Sequence, residues 1–294
     1  MERAKGILYA ALSSSTFGLA PLFTLLLLGL GYSSFEVLSY RWGVASLFLG
    51  ALALLAGRSF RLSWPELRTV FFLSLFRAAT SLSLIIAYQH IASGVASTIH
   101  FMYPLAVALA MMCFFREKGS VWVFAAIGMS IVGAVLLSLG NVDFTRGNTT
   151  LGMVSAAVSV VSYGGYIVGV RKSRAVGIDS TVLTCYVMGL GALYFIAGGL
   201  VTGGIRIETD GTAWLCILGV ALPATAVSNM TLVQAIKRIG PTLTSVFGAL
   251  EPLTAVVIGV AVFGEPFTVQ GAAGILLIVA SVTIVILHSG RRKA

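Results

Sequence analysis

Charge is what this sequence has least of. Only 10% of its 294 residues are Asp, Glu, Lys or Arg, against roughly 25% in soluble domains. Hydrophobic residues make up 58% of the chain, and the mean hydropathy is +1.00. A soluble globular domain, whose surface needs charge, is excluded. Cysteine is scarce too. Cys113, Cys185 and Cys216 all lie in apolar runs with no metal-ligand spacing, so they read as small buried side chains rather than a zinc site or a disulfide framework. The sequence has no HExxH, no CxxC, no Walker A and no paired carboxylates on one predicted helix face. Nothing therefore points to an enzyme, a metal or a cofactor. The first apolar run is too long for a signal-peptide core and lacks a small-residue cleavage site, so it is expected to be a span.

What is there is a series of runs near the ~20 residues that cross a hydrocarbon core. Charge clusters and Gly/Pro punctuation divide them into ten spans: Gly6–Leu30, Ser34–Ala56, Glu66–Gln89, Ala92–Phe115, Val121–Gly140, Thr150–Val170, Ser180–Thr202, Thr212–Ile236, Pro241–Phe263 and Val269–His288. The expected fold is an all-α integral membrane protein. Fifteen basic residues fall in the tails and alternate loops on one side: Arg3, Lys5, Arg58, Arg61, Arg68, Arg116, Lys118, Arg171, Lys172, Arg174, Lys237, Arg238, Arg291, Arg292 and Lys293. Only Arg146 and Arg206 fall in the opposite loops. This bias predicts that both termini are cytoplasmic. It also accounts for the net charge of +9 and the pI of about 9.8. The charge is spread over all the loops of one side, with no basic domain to hold a duplex, so nucleic acid is not an expected partner. The expected surroundings are a lipid bilayer, the plasma membrane (the bacterial inner membrane), with the chain as monomer or homodimer.

An internal repeat organises the spans. "GILYAALSSSTFG" (Gly6–Gly18) overlays "GMVSAAVSVVSYG" (Gly152–Gly164) at an offset of 146, and Ala87, Ile91, Ser97, Pro104, Leu105, Phe115 and Glu117 recur 148 residues later. The duplicated unit holds five spans, residues 1–147 and 148–294. Five is odd, so the second copy enters the membrane from the opposite side. Inverted repeats characterise many secondary transporters, whose substrate site lies near the midplane where the repeats meet.

The same stretches resemble the EamA-type branch of the drug/metabolite transporter superfamily. The resemblance is carried by "SYRW" (Ser39–Trp42), "AYQHIASGVAS" (Ala87–Ser97), "YPLAVALAMMCFFRE" (Tyr103–Glu117) and "EPLTAVVIGVAVFGEPFTVQGAAGIL" (Glu251–Leu276), and it covers nearly the whole chain. It implies transport of small molecules, in a family whose cargo ranges over amino acids, choline, nucleotide derivatives, vitamins and drugs. The family's second Pro-x(12)-Glu signature is Pro252 and Glu265. Its first copy, Pro104 and Glu117, is flanked by Tyr103, Arg116 and Lys118, and Phe17-Gly18 replaces the usual Trp-Gly.

Polar groups deep in a bilayer normally face a cavity or a partner. At 1.5 Å per residue, Glu251 and Arg77 lie roughly 15 Å from the cytoplasmic ends of their spans and His100 about 12 Å from the outer end. The expected substrate-binding set is Arg77, His100, Tyr103, Tyr163, Asn229, Glu251 and Phe17. Glu251 and Arg77 could instead close the bundle as an ion pair. Arg41, about 10 Å from the outer end of its span, is expected to be a packing or outer-gate residue, close enough to that end that it could snorkel towards water. Pro104, Pro252, Glu117 and Glu265 are candidates for gating or structural roles. The Glu251-Pro252 pair is expected to break its helix locally. Phe17, Tyr40, Tyr103, Tyr163 and Tyr166 could form a cage for a cation. Gly165 with Gly169, and Gly199 with Gly203, are spaced for close helix contact. Asn148–Thr150 matches a glycosylation sequon. The leading expectation is an exporter of amino acids or related zwitterions, with Arg77 facing a carboxylate, Glu251 facing an ammonium, and a coupling proton carried by Glu251 or His100. The alternatives are a transporter of organic cations such as choline or drugs, and, further off, a membrane-embedded enzyme or binding protein.

Overall fold

The computed structural model describes residues 2–91, 93–138, 147–254, 257 and 268–288. Glu265, Arg146 and the distal part of the ninth expected span lie outside them. The described residues are helical throughout, with no strand: α1 Glu2–Phe17, α2 Ala20–Gly29, α3 Ser34–Leu55, α4 Trp64–His90, α5 Ser93–His100, α6 Tyr103–Phe115, α7 Val121–Ser138, α8 Thr149–Lys172, α9 Ser180–Thr202, α10 Gly211–Ala221, α11 Ser228–Ile239, α12 Pro241–Val246 and α13 Val269–His288. Eight stretches are long and apolar enough to cross a membrane, and Val121–Leu136 is a shorter apolar helix.

Helix starts follow local chemistry. Ser33 and Glu36 form a capping box, with Glu36 N–H donating to the Ser33 hydroxyl at 3.2 Å and Ser33 N–H donating to the Glu36 carboxylate at 2.8 Å. Asp179 and Asp210 accept from backbone N–H groups in the first turns of α9 and α10. These side chains satisfy donors that a helix N-terminus leaves unpaired. Asn148 does the same for α8, accepting from Leu151 N–H at 3.0 Å, so the sequon asparagine spends its side-chain oxygen on a cap.

Four spans are interrupted, and three of the breaks have a proline at hand. Gly18–Leu19 separates α1 from α2, with Pro21 in the first turn of α2; Phe101–Met102 separates α5 from α6, with Pro104 in the first turn of α6. A π turn, Leu222–Val227, containing Pro223, joins α10 to α11. Proline fits a first helical turn because its missing N–H would be unpaired there anyway. The fourth break corrects the sequence expectation. The irregular turn is a 3-10 segment, Phe247–Ala249, one step ahead of Glu251 and Pro252, which themselves lie in the helical residues 250–254.

The most extensive helix contacts are α3 with α9, α4 with α8, α7 with α13, and α1 with α11. Glycines set how closely they approach. A Cβ at Gly6 would collide with Ile239 and Arg238, and one at Gly152 with Ile91 and His90. Gly18 lies against the Glu251 carbonyl and Thr254, Gly164 against Ala106 and Val107. Gly165 and Gly169 seat α8 on Phe76 and Leu73 of α4, as their spacing suggests. Gly199 packs against Phe35 and Ile205. Gly203 instead caps α9 at φ 148°, a backbone region that a side chain would strain. Gly191 faces the ring of fully buried Trp42, which meets Phe195 edge-on at 5.1 Å. Gly191→Val is expected to cost about 1–3 kcal/mol by overpacking, read as a thermal unfolding midpoint several degrees lower in detergent.

Candidate functional site

The interruptions bring polar side chains from both halves of the chain to one place. The centre is Arg77 on α4, 1% exposed. Its Nε donates to Asn229 Oδ1 at 2.8 Å and its Nη1 to Ser81 Oγ at 3.2 Å. Its guanidinium carbon sits 5.4 Å from the Phe17 ring centre, 5.1 Å from Tyr163 and 5.9 Å from Trp42. Arg41 on α3 faces the same Phe17 ring at 5.8 Å and donates from Nε to Thr225 Oγ1 at 2.6 Å. Its Nη2 has no partner.

The π turn explains why both arginines find acceptors. Thr225 Oγ1 donates to the Val220 carbonyl at 2.7 Å and accepts from Arg41, while Asn229 Nδ2 donates to the Thr225 carbonyl at 2.8 Å. Asn229 then turns its carbonyl oxygen to Arg77. The wider turn around Pro223 therefore holds the Arg41 acceptor and, through the Thr225 carbonyl, anchors the Arg77 acceptor at the start of α11. Local π geometry often marks functional sites.

A second cluster adjoins the first. His100 Nδ1 lies 2.8 Å from Ser159 Oγ, its ring stacks on Tyr163 at 5.3 Å, and its Nε2 is unpartnered. Tyr103 meets Tyr163 edge-on at 4.6 Å and donates its hydroxyl to Glu251 Oε1 at 3.1 Å. A Cβ at Gly248 would overlap the Tyr103 phenol, so that glycine makes room for it. Between the arginines and Phe17, Thr24, Thr80, Ser81 and Tyr88 lies a cavity of ≈ 20 Å³, about the room one water needs.

The structure brings the expected substrate-binding residues together around these two clusters, with three corrections. Arg77 and Glu251 do not form an ion pair, because Asn229 and Ser81 take the arginine while Tyr103 takes the acid. Arg41 does not reach towards water: it is 6% exposed and shares the Phe17 face with Arg77. Of the expected aromatic cage, Phe17 and Tyr163, joined by Trp42, face the chain's own Arg77. Tyr40 is not part of it, since it bonds to the Arg206 carbonyl and packs on Trp214. Pro104 lies in the first turn of α6, Pro252 lies within the helical residues 250–254, and Glu117 accepts from Thr242 Oγ1 at 3.4 Å. Glu117 borders an open cavity of ≈ 680 Å³ on the face that carries Glu2, together with Arg3, Lys118, Lys172 and Arg238. Trp42, Ser81 and Thr225 are site residues that sequence reasoning missed. "SYRW" was on view as a motif, but nothing in the sequence aims Trp42 at Arg77.

The pattern of the EamA-like transporter family matches residues 4–139 and again residues 150–287. The chain belongs to this family. It is 26% identical over 283 residues to the uncharacterized transporter YojE of Bacillus subtilis strain 168, spanning 91% of this chain and 88% of that one. An uncharacterized transporter of Archaeoglobus fulgidus is 26% identical over 238 residues, spanning 81% and 83%. A protein crystal structure has the same fold at a TM-score of 0.80 and 20% identity, covering 100% of this chain and 99% of that one. This EamA protein is thus a multi-pass membrane transporter, and both halves that match the family pattern supply residues to the arginine cluster.

Two further contacts of this EamA chain tie loops down on opposite sides of the α3–α9 pair. The Tyr40 hydroxyl donates to the Arg206 carbonyl at 2.5 Å and the Tyr186 hydroxyl to the Phe60 carbonyl at 2.9 Å. Donor and acceptor recur at the same offset, 40 to 186 and 60 to 206. Each latch has a nearby ion pair, Arg206–Glu36 at 3.0 Å and Arg58–Asp179 at 3.6 Å. Glu36 is 7% exposed and Arg206 also covers the Tyr32 ring at 4.1 Å, so this pair is the more protected. Tyr186→Phe removes one such bond, and Tyr40→Phe removes two, because the Tyr40 hydroxyl also accepts from Glu208 N–H at 3.0 Å. They are expected to loosen opposite faces, read as faster amide exchange confined to the loop 203–210 in the first and 57–63 in the second.

Proposed function

We propose that the chain is a ten-span secondary transporter built from two inverted five-helix repeats, residues 1–147 and 148–294, with both termini cytoplasmic, in the plasma membrane of a bacterial cell. The exchanged contacts support the inversion. Gly6 meets Ile239 while its counterpart Gly152 meets Ile91, the counterpart of Ile239, and the two tyrosine latches repeat in the same way. The mechanism is alternating access, in which one repeat rocks against the other around a fixed central site. The cargo is a small polar metabolite, with amino acids or related zwitterions as the leading class and export as the direction.

The observation that carries this reading is Arg77, buried at bilayer depth and held by Ser81, Phe17 and Trp42 from one half and Asn229 and Tyr163 from the other. A group bonded to both halves senses their relative movement. A cationic cargo is disfavoured, because the ring faces that would hold it already hold Arg77. Counterflow tests the proposal: vesicles containing only this protein and preloaded with unlabelled amino acid should take up the labelled compound faster than empty ones. Acceleration by quaternary ammonium ions, with none by amino acids, would reverse the cargo assignment.

A further inference from the structure

We propose that Arg41 and Arg77 together form a binding site for a small organic anion, and that the preferred cargo carries a net charge of −1 or more negative through carboxylate or phosphate oxygens. The proposal deepens the transporter reading by naming its substrate class, and it brings in Arg41, which the sequence had placed at the gate.

Three observations carry it. First, the charges do not balance. Two guanidiniums share the Phe17 ring at 5.8 and 5.4 Å, and among the described residues no carboxylate lies within 4.0 Å of either. All their bonded partners are neutral: Thr225, Asn229 and Ser81. Neutral acceptors satisfy donors but do not repay the cost of keeping cations out of water or their mutual repulsion. Second, donors are left over at one spot. Arg41 Nη2 is unpartnered on a residue 6% exposed, and Thr24 Oγ1 on a residue 2% exposed. Both residues line the same cavity as Arg77. Third, the geometry suits an oxyanion. Arginine presents planar, forked N–H donors that match carboxylate and phosphate oxygens, and here two such groups are oriented by fixed acceptors, Thr225 on the π turn and Asn229 in the first turn of α11.

Counting Glu251 as ionised leaves the cluster one negative charge short. A neutral zwitterion contributes no net charge, so it leaves one cation uncompensated. An acidic amino acid, a dicarboxylate or a phosphate ester closes the balance. The cavity of ≈ 20 Å³ is too small for any of these, so binding has to part the helices around Phe17.

The test uses purified full-length protein in nanodiscs with succinate, L-glutamate and glycerol 3-phosphate as probes, and L-glutamine and choline as controls. Titration by thermal shift is expected to show stabilisation by at least one anionic probe, with L-glutamine at least about tenfold weaker than L-glutamate if the carboxylates bind. Succinate and glycerol 3-phosphate distinguish the two oxyanion chemistries. Arg41→Gln is expected to weaken the effective anion about tenfold or more, as for a lost charge-assisted hydrogen bond, while Arg41→Lys recovers part of it. Thr225→Val, which keeps both charges and removes the Arg41 acceptor together with the hydroxyl's own bond to the Val220 carbonyl, gives a milder loss and guards against misfolding of the charge variants. Stabilisation by glutamine or choline but by no anion, no response to any probe, or unchanged anion affinity in folded Arg41→Gln overturns the proposal. Neutral amino-acid counterflow that anions do not inhibit also sinks it and leaves the transporter reading standing. Anion binding without counterflow does the reverse.

Discussion

Arg77→Met is expected to abolish transport and leave a folded protein. Methionine keeps a long apolar stem among Phe17, Trp42 and Tyr163 and removes a buried cation that has no carboxylate within ion-pair distance. Replacing buried charge with well-packed apolar atoms is often neutral or stabilising. Against this, Asn229 Oδ1 loses its donor, at about 1–3 kcal/mol for an unsatisfied buried acceptor. The unfolding midpoint should therefore move by only a few degrees. Transport should fall about 100-fold or more, since the substrate loses charge-assisted bonds and the two halves lose a shared anchor. Counterflow normalised to folded protein measures the effect. Arg77→Lys keeps the charge but loses the fork that reaches Asn229 and Ser81 together, so it should restore little. Full activity in either variant would remove Arg77 from the site.

The second large effect is expected at Glu251. The Tyr103 hydroxyl donates to Glu251 Oε1 at 3.1 Å, and the amide oxygen of Glu251→Gln accepts the same bond. The substitution therefore removes charge and little else. Transport of compounds with an ammonium group should fall about tenfold or more, and dependence on a pH gradient should vanish if Glu251 carries the coupling proton. Tyr103→Phe is the geometric control: it keeps the carboxylate but removes its donor, and should give a smaller loss with the gradient dependence intact. Flux in Glu251→Gln that still responds to a collapsed pH gradient would place proton coupling elsewhere, His100 being the next candidate. Gly248→Ala should resemble Tyr103→Phe, because a methyl group there displaces the phenol.

The membrane class and the helical content were legible because apolar run length and charge placement are local properties. The internal sequence match was legible where glycine and proline recur. Gly6 and Gly152 both turned out to seat a helix crossing, and Pro104 lies in the first turn of α6, inside a stretch expected to be one span. Depth counting also put Arg77, His100 and Glu251 near one another. It went wrong for Arg41. A count along one helix gives distance from that helix's end but not what neighbouring helices cover, and Thr225 and Phe17 cover this side chain. The Arg77–Glu251 ion pair, the alternative to a substrate site, is not formed for a related reason. Opposite charge at similar depth makes a pair plausible, yet Asn229, anchored to the π turn by its bond to the Thr225 carbonyl, meets the arginine, and nothing in "LPATAVSN" beyond Pro223 signals that wider turn. Trp42 was missed because direction across a bundle is set by packing, not by spacing.

The account depends most on one site being reached from both sides of the membrane, and cysteine accessibility tests that without knowledge of the substrate. Thr80 lines the cavity beside Arg41 and Arg77, is 1% exposed, and donates its hydroxyl only to the Phe76 carbonyl at 2.8 Å, so Thr80→Cys is a mild change. Cys113, Cys185 and Cys216 would first be replaced by serine or alanine. A membrane-impermeant maleimide is then applied to vesicles of each orientation. Labelling of residue 80 from either face is the predicted result. Labelling from one face alone, under every substrate and gradient condition, would contradict alternating access.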